Sequence, residues 1–200
     1  QTMLIDTKVN LPYYGEFNLH VNFVEQDSIG TCAVNVTSKG MNFFYSPKFL
    51  EHMSQKEVNF ITLHEDFHLL FNHPKRTVSG QYDHKMSNIA QDMIINHVIW
   101  EDIPHTFVEI PKSKDGKNMA LFVPKDYPGK LIFEEIYEWL RDEKEKRESA
   151  EVIPERVLVL RNCFLREELK YVAHRQTFIE PTNDFVVCFG CHEEKTKPLR

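Results

Sequence analysis

The sequence predicts an α+β fold in which a small β-sheet packs on a histidine-bearing helix and a second helix adds a further polar group. Three observations carry this expectation. Strand-like segments concentrate before residue 46, helical patterns dominate from 46 to 148, and one helix sets His64 and His68 four residues apart. Residues 17–24, FNLHVNFV, alternate apolar and polar positions among β-formers and read as a strand. Residues 31–37, TCAVNVT, and 41–45, MNFFY, flank SKG and read as a hairpin with Gly40 in the turn. In SPKFLEHM (46–53), Pro47 after Ser46 begins a short helix.

Ser54 and Glu57 have capping-box spacing, so a helix is expected from 55 to about 72. Pro74 disfavours helical geometry at His73 and puts that residue at or just past the helix end. A polar connection, KRTVSGQYDHK (75–85), leads to a second helix over 86–100, where Ile89, Met93, Ile94, Ile95, Val98 and Ile99 dominate. Asn88, Asp92 and Asn96 recur every four residues and form one polar stripe on this oily helix. Prolines 104, 111, 124 and 128 punctuate a loop-rich segment with one short strand at 119–123. A third helix over 131–148 runs into a charged stretch that reads as a solvated face or linker. Beyond it, 155–165 and 184–190 read as strands and 166–175 as a helix. The expected division is a domain over 1–140, then a charged helix or linker with a small C-terminal α/β extension over 141–200.

A formal charge of −6 and a sequence pI near 5.9 make nucleic acid an unfavoured partner. No apolar run approaches the roughly 18–20 residues that cross a membrane, so no membrane association is expected. The start, QTMLIDTKVN, has no signal-peptide pattern, and without an initial Met a fragment or trimmed chain is expected. Four cysteines are too few for a disulfide scaffold in a chain of this size, so reduced thiols and a cytoplasmic location are expected.

The chemistry concentrates in LHEDFHLLFNHPKR (63–76). Residues i and i+4 share a helix face, so His64 and His68 can offer imidazoles to one ion. Glu65 lies about 100° round from His64, placed to take a proton from a water beside that ion. This is the mechanical content of HExxH, the pattern of zinc hydrolases. With ten histidines, chance gives roughly 0.04 such patterns in this chain, which makes the match specific. A catalytic zinc takes about three protein ligands. Asp92 is the favoured third, because an unpartnered carboxylate among apolar neighbours is costly. His73 is the alternative, and it needs the chain to bend back with no glycine after His68 to ease the bend. Candidates for orienting ligands or meeting substrate are His73, Asn88, Asn96, Arg76, Tyr82 and His84; His20, His52, His97, His105 and His174 read as ordinary. CFGCH (188–192) offers Cys188, Cys191 and His192, with Cys163 as a further donor, for a second, structural zinc. Ordinary thiols are the stronger reading there.

The run YSPKFLEHMSQKEVNFITLHEDFHLLFNHPKR (45–76), followed by NIAQDMIIN (88–96), resembles the metallopeptidase domain found upstream of a von Willebrand A-like domain in bacterial and phage-encoded proteins. Tyr45, Pro47 and Phe49, then His64, Glu65, His68, His73 and Arg76, then Asn88, Ala90, Asp92, Ile95 and Asn96 fill that family's pattern. EEIYEWL (134–140) is similar to a further element, so the likeness covers about 31–140. The resemblance implies a zincin-like fold, with the small sheet beside an active-site helix, one zinc ion and hydrolysis of peptide bonds in a protein or peptide substrate. It also implies a MoxR-type AAA ATPase partner. In such folds an edge strand takes substrate by β-augmentation, a role expected of 31–37 or 41–45. Residues 141–200 depart from the family, since they hold no DxSxS metal-adhesion motif. The expected activity is a zinc metallopeptidase with Glu65 as general base; the alternative is a non-hydrolytic, metal-containing peptide-binding or adaptor domain.

Overall fold

The computed structural model describes residues 9–79, 82–148 and 186–189. A short helix, α1 (Pro12–Phe17), carries proline in its first turn, where a missing N–H costs nothing. A 3-10 turn over Asn18–His20 then leads into β1 (Val21–Glu25). The strand expected over 17–24 is thus shorter, and residues 18–20 turn helically. Alternation misled because Asn18 points inward and Leu19 is 60% exposed. The Asn18 amide donates to Asp66 Oδ2 at 2.8 Å, giving one oxygen of a buried acid a partner that no local pattern reveals. Burial pushes the Asp66 carboxyl well above the usual carboxylate range, with Asn18 pulling the other way.

β2 (Cys32–Thr37) and β3 (Gly40–Tyr45) form the expected hairpin, with Thr37 opposite Gly40. Gly40 follows the turn at φ 129°, a backbone region that other residues rarely adopt. β1 lies parallel to β3, with Val21 opposite Met41. β4 (Val186–Phe189) lies within the strand expected over 184–190, whose other residues are outside the described ones, and runs antiparallel to β2, with Val187 opposite Val34. The sheet order is therefore β1-β3-β2-β4. Neither strand of the hairpin is an open edge, contrary to expectation, because β1 covers one side of β3 and β4 one side of β2. The elements expected over 155–165 and 166–175 lie outside the described residues.

Ser46 caps α2 (Pro47–Leu50), its Oγ accepting from Phe49 N. The capping box then starts α3 (Gln55–Leu70): Ser54 Oγ accepts from Glu57 N at 3.2 Å, and Glu57 Oε2 from Ser54 N at 2.8 Å. α3 stops at Leu70, and Asn72 takes a left-handed φ of 55° before α4 (His73–Ser79) begins. A helix therefore replaces the first half of the polar connection expected over 75–85. Pro74 sits in its first turn, where proline is well tolerated, so it starts one helix as well as ending another. Asp83 caps α5 (His84–Asp102), its Oδ1 accepting from Met86 N at 2.9 Å. Residues 119–123 form no strand; their backbone serves α5 instead, through the Leu121 carbonyl described below. Among the described residues, the last long helix is α6 (Phe133–Glu148), which runs unbroken through residue 140.

Two apolar cores share α5. Ile95 and Ile99 join Val21, Val34 and Phe43 of the sheet and Phe60, Ile61 and Leu63 of α3. Met86, Ile89 and Met93 instead meet Phe133, Ile136 and Leu140 of α6. Each such side chain stabilises the fold by roughly 1.5–3 kcal/mol when fully buried. A helix that is apolar on two sides must turn its polar stripe towards a satisfying partner, and for α5 that partner is α3. Among the described residues, no helix is long and apolar enough to cross a membrane.

Candidate metal centre

α3 and α5 meet through side chains that would be costly to bury singly. His64, Glu65 and His68 are fully buried on α3, and Asp92 is buried on α5. His64 Nε2 lies 3.0 Å from His68 Nε2 and 3.4 Å from Asp92 Oδ1. His68 Nε2 lies 3.1 Å from the same Asp92 oxygen, closing a triangle. A tetrahedral ion with ligands at about 2.0–2.1 Å needs donor atoms about 3.3–3.4 Å apart, so the three atoms are spaced to hold one. Among the described residues, this is the group whose donor atoms converge in that way.

Each corner is held from outside. Asn96 Nδ2 donates to the Leu121 carbonyl at 2.8 Å, which turns Asn96 Oδ1 towards His64 Nδ1, also at 2.8 Å. An amide oxygen only accepts, so His64 carries its proton on Nδ1 and leaves Nε2 with a lone pair in the neutral ring. Asn88 Nδ2 donates to Asp92 Oδ2 at 3.3 Å, leaving Oδ1 for the triangle. His73 Nδ1 lies 3.1 Å from His68 Nδ1, on the side of that ring away from the triangle.

The charge state suits a cation. Burial pushes His68 down to about 4, against the pull of Asp92. Burial, helped by His68 and Arg76, pushes His73 down to about 2. Burial opposes the charge on Asp92, but the neighbouring imidazoles hold its carboxyl well below the usual range. Near neutral pH the approach of His68 to Asp92 is therefore no ion pair. With its proton on Nδ1, a neutral His68 sets the Nε2 lone pair beside a carboxylate in a dry interior, an arrangement that a cation between them would stabilise.

The sequence-predicted residues divide clearly. His64, His68 and Asp92 converge, and Glu65 stands beside them on α3. Asn88, Asn96 and His73 contact the three from behind. The bend that brings His73 back does occur: Asn72 supplies the left-handed conformation without glycine, so the absence of glycine was no barrier. Arg76 instead pairs with Glu134 and lies over the Phe133 ring, with its carbon 5.2 Å from the centroid, tying α4 to α6. Tyr82 packs edge-on against Phe133 at 5.0 Å and against Tyr137 at 4.8 Å, so its ring belongs to the second core. His84 opens α5 about 12 Å along the axis from Asp92, beyond contact with the triangle. Cys163, Cys191 and His192 lie outside the described residues, and Cys188 falls in β4. Sequence reasoning missed the Leu121 carbonyl, because a backbone acceptor leaves no mark in a side-chain pattern.

A model of the family described as "Putative metallopeptidase domain" matches residues 4–156, well over half of the chain. No curated protein and no solved structure gives a match. The matched span contains α3, α4, α5 and every residue of the triangle, and the chain belongs to this metallopeptidase domain family.

Proposed function

We propose that this chain is a zinc-dependent metallopeptidase of zincin-like architecture, with His64, His68 and Asp92 as metal ligands and Glu65 as general base. One observation carries the reading: three buried donor atoms stand 3.0–3.4 Å apart. Neutral imidazole pairs with a carboxylate suit zinc, and two such rings with one carboxylate leave the loaded centre at net +1. When bound, zinc supplies Lewis acidity that lowers the pKa of a water towards about 7 and polarises a carbonyl.

The chain's own residues do the rest. Asn96 keeps the His64 lone pair on Nε2, and His68 can donate Nδ1–H to His73 Nδ1, which frees its own Nε2. Asn88 holds Asp92 Oδ2, favouring binding through Oδ1 alone. Glu65 takes the proton of the attacking water and passes it to the leaving amine, so its carboxylate both receives and returns one proton.

The test pairs metal content with cleavage. Glu65→Gln should retain stoichiometric zinc by mass spectrometry and lose about a hundredfold or more of peptide-library cleavage. His64→Ala should lose the metal. Equal cleavage by wild type and Glu65→Gln, or full zinc in His64→Ala, would sink the reading.

A further inference from the structure

The three imidazoles at the centre differ in what fixes their protons. His64 is locked, because the Asn96 oxygen only accepts and so holds the His64 proton on Nδ1. His68 and His73 are not locked. Their Nδ1 atoms face each other at 3.1 Å, so one ring donates and the other accepts, and either order satisfies the contact. At its other nitrogen, His68 Nε2 lies 3.0 Å from His64 Nε2 and 3.1 Å from Asp92 Oδ1. Both neighbours accept: His64 Nε2 carries a lone pair, and the imidazoles hold Asp92 as a carboxylate. Without a cation, a lone pair on His68 Nε2 would leave three buried acceptors facing one another with no donor. A proton on His68 Nε2 resolves this, and His73 must then supply the proton between the two Nδ1 atoms. With a cation in the triangle the requirement inverts. His68 Nε2 needs its lone pair, its proton sits on Nδ1, and His73 accepts it. Beyond that contact His73 meets the rings of Phe71 and Phe133, at 5.5 and 6.3 Å. Among the described residues none hydrogen-bonds His73 Nε2, so no partner fixes this ring in one form.

We propose that His68 and His73 exchange donor and acceptor roles when the centre takes up a divalent cation, and that Gln91, acting through Thr77, keeps the two rings in contact as they do so. The proposal rests on His64, His68 and Asp92 as metal ligands. No ring changes its charge. His68 gives its Nε2 proton to water, the His73 Nδ1 proton crosses to His68 Nδ1, and His73 Nε2 takes a proton from water. Each ring therefore holds one proton before and after, and a proton and a cation alternate in the same triangle. His73 never touches the ion and is a positioning residue. Its own place is set from α5. Thr77 lies one helical turn beyond His73 on the same face of α4. Gln91 Nε2 donates to Thr77 Oγ1 at 2.7 Å, and both residues are buried, so water does not compete for this bond. Gln91 and Asp92 are neighbours on α5. Adjacent residues of one helix thus anchor both nitrogens of His68, Asp92 directly at Nε2 and Gln91 at Nδ1 by way of Thr77 and His73.

The test reads ring protons directly. Long-range proton–nitrogen spectra of the full chain, labelled with nitrogen-15 in histidine, distinguish protonated from unprotonated ring nitrogens. In chelator, His68 should carry its proton on Nε2 and His73 on Nδ1. With stoichiometric zinc, His68 should carry it on Nδ1 and His73 on Nε2, while His64 stays protonated on Nδ1 throughout. A His68 protonated on Nδ1 in both conditions, or a His73 unchanged by zinc, overturns the proposal. Thr77→Val keeps the side-chain shape and removes the acceptor of the Gln91 amide. In that variant the protonation of His73 should no longer depend on zinc, and zinc affinity should fall about tenfold by competition against an indicator. Thr77→Ser restores the acceptor and should restore both. A Thr77→Val variant in which His73 still follows zinc as in the unaltered chain overturns the role of Gln91 and Thr77. Exchange of roles without cleavage of any peptide upholds the proposal and refutes the peptidase reading. Zinc-dependent cleavage without the exchange does the reverse, and failure to bind zinc overturns both.

Discussion

Replacing Asn96 by alanine tests the centre most directly, because this one amide serves two buried partners. Its Oδ1 accepts from His64 Nδ1 and its Nδ2 donates to the Leu121 carbonyl, both at 2.8 Å. Alanine leaves an N–H and a carbonyl facing a small cavity. Each buried group left unsatisfied costs about 1–3 kcal/mol, so the metal-free protein should lose roughly 2–6 kcal/mol. That is a large part of the roughly 5–15 kcal/mol that holds a domain folded. Metal affinity should fall separately, by about 10–100-fold, since the His64 ring loses the contact that sets its tautomer and rotation. Urea unfolding in chelator reads the first effect, and competition against a zinc indicator reads the second. Stability and affinity both within twofold of wild type would refute the reasoning that the outer contacts hold the triangle.

Asn72 should tolerate glycine and reject valine, because φ 55° suits glycine and strains a β-branched residue by about 1–2 kcal/mol. The valine variant should also weaken zinc binding by swinging His73 from His68, and unchanged binding would remove His73 from that role. Acid should destabilise the metal-free protein through His68, whose pKa falls from 6.5 to about 4 on folding. The unfolded state then binds more protons between those values, so stability is full above about pH 6.5 and drops by roughly 3 kcal/mol towards pH 4. His73, pushed down to about 2, extends the loss to lower pH. Urea midpoints at pH 7.5 and pH 5 in chelator check this in an Asp66→Asn background, which removes the opposite titration of that buried acid, and equal midpoints there would contradict it.

Much of the centre was legible because it depends on local periods. The i, i+4 spacing of His64 and His68, the Ser54–Glu57 box and the stripe of Asn88, Asp92 and Asn96 are set by the turn of one helix. The stripe announced a polar partner because an apolar helix does not carry three amide and acid side chains in line without one. The hairpin of β2 and β3 was legible in its two strands, but Gly40, expected in the SKG turn, instead pairs with Thr37 as the first residue of β3.

What tertiary structure decided are the meetings between distant segments. Whether Asp92 or His73 stands beside the two Nε2 atoms depends on how α3 crosses α5, and a crossing is set by packing on both sides of α5. The return of His73 depends on one left-handed residue, Asn72, a conformation that asparagine permits without requiring. Residues 17–20 alternated like a strand, yet a buried acid on α3 drew Asn18 inward and turned them helically. The closing strand on β2 comes from some 150 residues further along the chain, and backbone pairing over that distance leaves no periodic trace. Local hydrogen bonds and side-chain periods were written in the sequence; the company each polar group keeps was chosen by the fold.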